Sequence, residues 1–330
     1  MKNRLLRRPP ILPLVAVLLL LAIPWLTSAY VTRVWIIAFI SCVMGISLSM
    51  SIAVAGVVSL GQAGFYAIGA YTAAILGTRL GVGFPYTMLI AGLLAAAAGV
   101  VLAAPAVRLR GMYFMLTTLA FGEVVRLLAL NWTSLTRGPI GITGIPGISF
   151  GGQELSVTGY YLAALALAGL ALVACEYVAA SDYGLLCRSM RDDDLAAAIC
   201  GMNVPLLRTT AASLACFWAG AAGAFYAHMY SFVSPTPFNT GLSLSLLVIS
   251  MLGALFGPLL ASKHRFIGTA VAAISLTWLL EGLRFVQEYR MAFYGLAMVL
   301  LVVMQPRFGG LVKSIRRQLA GRGVGRDAAD

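Results

Sequence analysis

The feature that most limits what this chain can fold into is a succession of apolar runs, most of them near twenty residues long, separated by short polar joints. They fall at about 11–30, 34–56, 62–80, 85–107, 111–131, 157–179, 208–230, 242–261, 266–284 and 291–306. A helix needs about 20 mostly apolar residues to cross the hydrocarbon layer of a bilayer. Inside lipid every backbone polar group must find a partner within the protein, which leaves helices or closed barrels. The runs are continuous rather than alternating, which excludes a barrel. Hydrophobic residues make up 61% of the chain and charged ones 10%, against about 25% charged in a soluble domain. The expected fold is an all-α polytopic membrane protein with about ten transmembrane helices. Residues 1–306 are expected to form one transmembrane domain, followed by a basic tail at 307–330.

Charge placement orients the spans. If the N-terminus lies inside and every run crosses, the inner joints hold 17 basic residues and the outer joints five, namely Arg33, Arg79, Arg137, Arg284 and Arg290, while Arg126 falls within a span. Basic residues accumulate on the cytoplasmic side, so both termini are predicted to be cytoplasmic. The net charge of +12 is read as topogenic and facing anionic lipid, not as a nucleic-acid surface. The basic start followed by an apolar run resembles a signal peptide, but the run is long, and it is read as an uncleaved first span. Five cysteines are scattered without pairing or CxxC spacing and are read as packing residues or free thiols.

Three stretches depart from plain apolar helix. SIAVAGVVSLGQAGFY, at 51–66, is read as a turn or as a broken or re-entrant helix; glycine lets a helix break near a cavity, and a break would expose Ser59 and Gln62. Gly61, Gly64 and Phe65 belong to the same candidate pathway wall, with Thr117, Thr118, Glu123 and Arg126 of the fifth run. Glu123 and Arg126 share a helix face and are either a polar lining or a structural pair. The outer loop RGPIGITGIPGI, at 137–148, is too rich in Gly and Pro for a regular helix. Its four isoleucines favour an ordered lip over a solvated linker.

The third is the polar loop 181–208. A short helix is predicted from about Asp192 to Ala198. Asp192, Asp193 and Asp194 favour its N-terminal dipole, Ala196–Ala198 form its body, and Gly201 ends it. The charge count puts this loop in the cytoplasm. It is either a docking handle or a surface helix held by its own caps.

Catalytic signatures are missing from the sequence. There are two histidines, His228 and His264, and no GxSxG, HExxH, Walker A or GxGxxG pattern. No catalytic role, cofactor or metal is therefore expected, and any ATP chemistry falls to a partner.

Several ordered blocks resemble the permease subunits of branched-chain amino acid ABC transporters, the LivH/LivM family, most of all the M-type. They are SLGQAGFYAIGAYTAAIL (59–76), LRGMYFMLTTLAFGEVVR (109–126), RGPIGITGIPGI (137–148), SDYGLLCRSMRDDDLAAAICGMNV (181–204), AGAAGAFYAH (219–228), SMLGALFGPLLAS (250–262) and PRFGGL (306–311). The resemblance implies a non-catalytic subunit of the bacterial inner membrane. Its partners would be a second permease, two ATPases and an extracytoplasmic substrate-binding protein. It also implies that Ala196-Ala197-x3-Gly201, with Leu195 and the flanking Arg188, Arg191, Asp192, Asp193 and Asp194, forms the coupling helix that seats in an ATPase groove. An amide or urea permease of the same family, a stand-alone secondary transporter and an intramembrane enzyme are the alternative readings.

Overall fold

Leucine, alanine and valine runs without polar partners can satisfy their backbones only by coiling, and helices account for nearly all of the chain that is described. The structure, a computed structural model, describes residues 11–106, 111–150, 153–259, 266–282 and Gly295. The tenth apolar run (Gly295 apart), the tail 307–330, the N-terminal basic cluster and the basic joints at Arg108, Arg110, Lys263 and Arg265 lie outside the described residues, as do Arg284, Arg290 and His264.

The helices are α1 (Ile11–Leu26), α2 (Ala29–Met50), α3 (Gln62–Leu80), α4 (Phe84–Ala106), α5 (Met112–Asn131), the single turn α6 (Thr133–Thr136), α7 (Val157–Ala180), α8 (Asp182–Asp192), α9 (Asp194–Ile199), α10 (Val204–Tyr230), α11 (Thr240–Leu259) and α12 (Ile267–Gly282). Among them, six segments are long and apolar enough to cross a membrane: Ala29–Ala55, Phe84–Pro105, Met112–Asn131, Val157–Ala180, Val204–Tyr230 and Thr240–Gly257. The chain is an all-α polytopic membrane protein. The first joint lies earlier than the sequence suggests. Extended Ser28 separates α1 from α2, so Arg33 stands inside α2 rather than in a loop.

Helix α10 is the axis of the bundle and packs on α3, α4 and α2. Its AGAAGAF stretch removes side-chain bulk where helices meet, which lets backbones approach closely. A Cβ placed on Gly69 of α3 would lie 2.6 Å from Gly220 Cα, and one on Gly223 would lie 2.8 Å from Ala70 N and overlap the Tyr66 carbonyl. A second close contact joins α2, α11 and α12. There a Cβ on Gly268 would sit 2.5 Å from Gly257 N, and the buried Ser49 hydroxyl meets Ser250 Oγ at 2.8 Å and Thr269 Oγ1 at 3.0 Å.

The Gly/Pro-rich loop is an ordered lip folded onto the far end of α10. Ile142, Ile145 and Ile148 are buried and only Ile140 faces outward. Strand β1 (Ile142–Thr143) pairs antiparallel with β4 (Phe232–Val233), just after α10. A second two-residue ladder pairs β2 (Ser149–Phe150) with β3 (Gln153–Glu154). The buried His228 ring pins the lip: Nδ1 donates to the Pro146 carbonyl at 2.7 Å, and Nε2 lies 2.7 Å from Thr87 Oγ1 on α4. Tyr160 on α7 accepts from Ile148 N at 2.9 Å and donates to the His228 carbonyl at 3.3 Å.

Two outcomes follow from these contacts. Gly223→Val overpacks the α3–α10 contact and costs about 3 kcal/mol; thermal unfolding of the purified protein in detergent reads this, and an unchanged midpoint would show the contact to be yielding. His228→Ala frees the lip, because a lost buried hydrogen-bond partner costs about 1–3 kcal/mol. Amide exchange at Ile145 and Ile148 should then rise by about tenfold or more. Exchange at the wild-type rate would mean that the ladder and Tyr160 hold the lip without the imidazole.

Candidate functional site

The break predicted near 51–66 is present. Helix α2 continues past Met50 as a π-helical turn, Ser51–Ala55, and stops at left-handed Gly56 (φ 70°). The chain then runs without helix through Val57–Leu60 until Gly61 caps α3. Isolated π turns inside helices concentrate at functional positions. Gln62, where helix resumes, lies level with the middle of α10: Ser47, 3.5 Å from Gln62 Oε1, donates at 2.6 Å to the carbonyl of Ala215. Ala215 is eleven residues beyond Val204, about 16 Å along the helix axis. The segment therefore turns at the α8 end of the bundle and returns inward as extended chain.

Backbone groups freed by a break must be satisfied locally, and hydroxyls do this here. Leu60 N donates to Thr118 Oγ1 at 3.0 Å, Gly61 N to Ser59 Oγ at 3.3 Å and Ala63 N to Ser243 Oγ at 3.2 Å. Ser51 Oγ donates to the Val57 carbonyl at 3.3 Å. Gly61 and Gly64 let α5 approach: a Cβ on the first would lie 2.7 Å from Thr118 O and on the second 2.9 Å from Gly122 Cα. Between these elements lies a cavity of about 10 Å³, lined by Ser51, Ser59, Gln62, Phe65, Phe114 and Thr118, with α4 and α10 residues behind. That is room for about one water.

Of the expected pathway residues, Ser59, Gln62, Phe65 and Thr118 line this cavity, and Gly61 and Gly64 pack its back. Thr117 does not line it; its hydroxyl donates to Tyr113 O in its own helix at 2.8 Å. Glu123 and Arg126 also stand apart from it. They are half-buried and bound to each other, with Arg126 Nε donating to both carboxylate oxygens at 3.0 Å.

The polar loop holds two helices where one was expected. Residues 182–192 form α8, capped by Ser181 Oγ, which accepts from Gly184 N at 3.3 Å. Its inner face, Gly184, Cys187 and Met190, is buried. Burial pushes the Tyr183 hydroxyl up to about 12 and raises the Cys187 thiol, so both stay protonated at neutral pH. The helix expected from Asp192 starts instead at Asp194, because Asp193 turns extended and caps α9, accepting from Leu195 N at 2.9 Å and Ala196 N at 3.0 Å. Gly201 (φ 83°) closes α9: Gly201 N donates to Ala198 O at 3.0 Å and Met202 N to Ala197 O at 3.1 Å, a left-handed end that favours glycine.

Charges expected to await a partner are largely used within the chain. Arg188 Nη2 donates to Ala179 O, at the end of α7, at 3.0 Å. Arg191 Nη1 donates to Ala53 O in the π turn at 3.1 Å. Asp194 pairs with Arg208 on α10, both largely buried. Asp192 stays exposed beside Arg191 at 3.5 Å. Ala197 faces inward at 4% exposure, while Leu195 and Ile199, one turn apart, are 72% and 78% exposed. The outward face of α9 is thus an apolar pair. Sequence reading missed Ile199, Arg208, Ser47, Ser51 and Ser243. The available signals were the i, i+4 apolar spacing in the loop and serines recurring in otherwise apolar runs.

The mutual bonding of Glu123 and Arg126 predicts non-additivity. Removing one partner of a part-buried pair strands the other charge, so Glu123→Gln or Arg126→Gln alone should lower stability or uptake more than the double variant. A double variant at least as damaged as both singles would assign the two residues separate roles.

Comparison with known proteins adds an independent line. The family model described as branched-chain amino acid transport system / permease component matches residues 30–302. The high-affinity branched-chain amino acid transport system permease protein LivM of Escherichia coli (strain K12) is 35% identical over 328 aligned residues, covering 92% of this chain and 75% of that protein. LivM of Salmonella typhimurium is 34% identical over the same extent. No solved structure matches the chain. With the match running through the broken α2–α3 segment, the lip and the α8–α9 loop, the chain belongs to the branched-chain amino acid transport system permease family.

Proposed function

We propose that this chain is one membrane subunit of an ATP-driven ABC importer for branched-chain or closely related amino acids, resident in a bacterial inner membrane. It provides half of the pathway and couples to two cytoplasmic ATPase subunits. A second permease completes the pathway, and an extracytoplasmic binding protein delivers substrate. The names of the relatives support the substrate class, and a permease family of this kind supports leaving ATP hydrolysis to partner subunits. The 17-to-five distribution of basic residues supports ten crossings with both ends and the α8–α9 loop inside. The cavity at the α2–α3 break is the wall past which substrate moves, and its hydroxyl and amide groups suit a small zwitterion.

The observation that carries the coupling role is the outward pair Leu195 and Ile199 on a helix fixed to the bundle. An apolar knob on a charged, anchored loop loses contact with water when it enters a groove on a soluble partner. Burying each side chain contributes about 1.5–3 kcal/mol. The small faces of Ala196 and Ala198 let the groove close around it.

Leu195→Asp with Ile199→Asp should therefore release the ATPase subunits from the purified complex while the permease still inserts. Retention of both ATPases by this double variant would overturn the docking surface. Proteoliposomes bearing the complete transporter should accumulate labelled leucine, with competition from valine and isoleucine and none from urea or acetamide. Competition by an amide would move the substrate to that class.

A further inference from the structure

We propose that Arg191 is the positioning residue that carries movement of the α8–α9 loop into the broken α2–α3 segment. This rests on the permease reading above and assigns the route by which the docking loop reaches the pathway wall.

Four side chains anchor the loop to the bundle, and they end on different kinds of structure; Tyr183 donates to Leu207 O on α10 at 3.3 Å and lies 2.6 Å from Thr210 Oγ1. Arg188 ends on the last turn of α7, and Asp194 on Arg208 of α10. Both of those are continuous helices, which move as rods. Arg191 ends on Ala53 O, inside the π turn. The next left-handed residue, Gly56, lies directly under its aliphatic stem: a Cβ there would meet Arg191 Cγ at 2.6 Å and Arg191 Cβ at 3.2 Å. The guanidinium thus grips the turn at a carbonyl while the stem covers the point where helix ends. On the solvent side Asp192 steadies it at 3.5 Å.

Beyond that grip the chain has no regular helix until Gln62, so it is the most yielding of the four connections. Ser59 and Gln62, six and nine residues past Ala53, line the cavity. The carbonyl of Val57 is held by Ser51 of the same turn, and Leu60 N by Thr118 of α5. A displacement of the turn is passed along these bonds to both sides of the cavity. The planar fork of arginine can hold a carbonyl and a carboxylate together, which a lysine point charge does less well.

The test uses the complete transporter in proteoliposomes, comparing binding-protein-stimulated ATP hydrolysis with uptake and scoring ATPase co-purification. Arg191→Gln should keep both ATPase subunits and continue to hydrolyse ATP, while uptake per ATP falls by roughly tenfold or more, within the usual range of coupling losses. Arg191→Lys, which keeps a donor for Ala53 O but not the fork that also holds Asp192, should recover part of the ratio. The proposal is overturned by an unchanged ratio in Arg191→Gln, by loss of the ATPases from it, by its failure to assemble, or by no recovery with lysine. The Leu195/Ile199 double aspartate variant is run alongside. If it retains the ATPases, the docking surface fails, and the Arg191 result is still decided by the uptake ratio.

Discussion

The close approach of α10 to α3 is the contact on which the remaining architecture depends. Gly69, Gly220 and Gly223 bring two backbones to a separation that no side chain permits. Because α10 sits that deep, its Ala215 carbonyl reaches Ser47 on α2, its His228 reaches both α4 and the lip, and its Arg208 reaches Asp194. In a membrane, apolar burial against lipid offers little reason for helices to associate, so packing of small residues and inter-helix hydrogen bonds must hold the bundle. Here both meet on one helix.

The broken segment is the complementary case. A helix interrupted in apolar surroundings exposes donors and acceptors that water would otherwise satisfy, and each one left bare costs energy. Ser51 and Ser59 of the segment itself, with Thr118 of α5 and Ser243 of α11, supply the missing partners. The same side chains line the cavity or stand next to it. In the proposed pathway the groups that make the irregular backbone tolerable are also the ones offered to a polar solute, so a change at any of them is expected to alter stability and transport together.

Much of this was readable from the chain and some was not, for physical reasons. Ser59, Gly61 and Gln62 announced a break because glycine and polar residues interrupt an apolar run, a purely local signal. The buried isoleucines of the lip were legible because four apolar residues at loop spacing make a poor linker. Helix α8 was hidden: its eleven residues mix charge and leucine, and its apolar face emerges only once Gly184, Cys187 and Met190 have a surface to bury against. Arg188, Arg191 and Asp193 looked like charges reserved for a partner. Their receptors are backbone groups at Ala179, Ala53, Leu195 and Ala196, and no side-chain pattern reveals a carbonyl. Ser47 and Ala215 are far apart in the chain, and a bond between them follows only from the completed packing.

One consequence of α10 concerns leverage. It runs unbroken from Val204 to Tyr230 and is clasped at Gly220. With that clasp as fulcrum, sixteen residues lie on the side of the Asp194–Arg208 pair and ten on the side of the lip, arms of about 24 Å and 15 Å at the helical rise. A tilt of α10 about the Gly220–Gly223 contact would therefore move its loop end farther than its lip end. A swing at the loop end would then reach the lip as a smaller displacement.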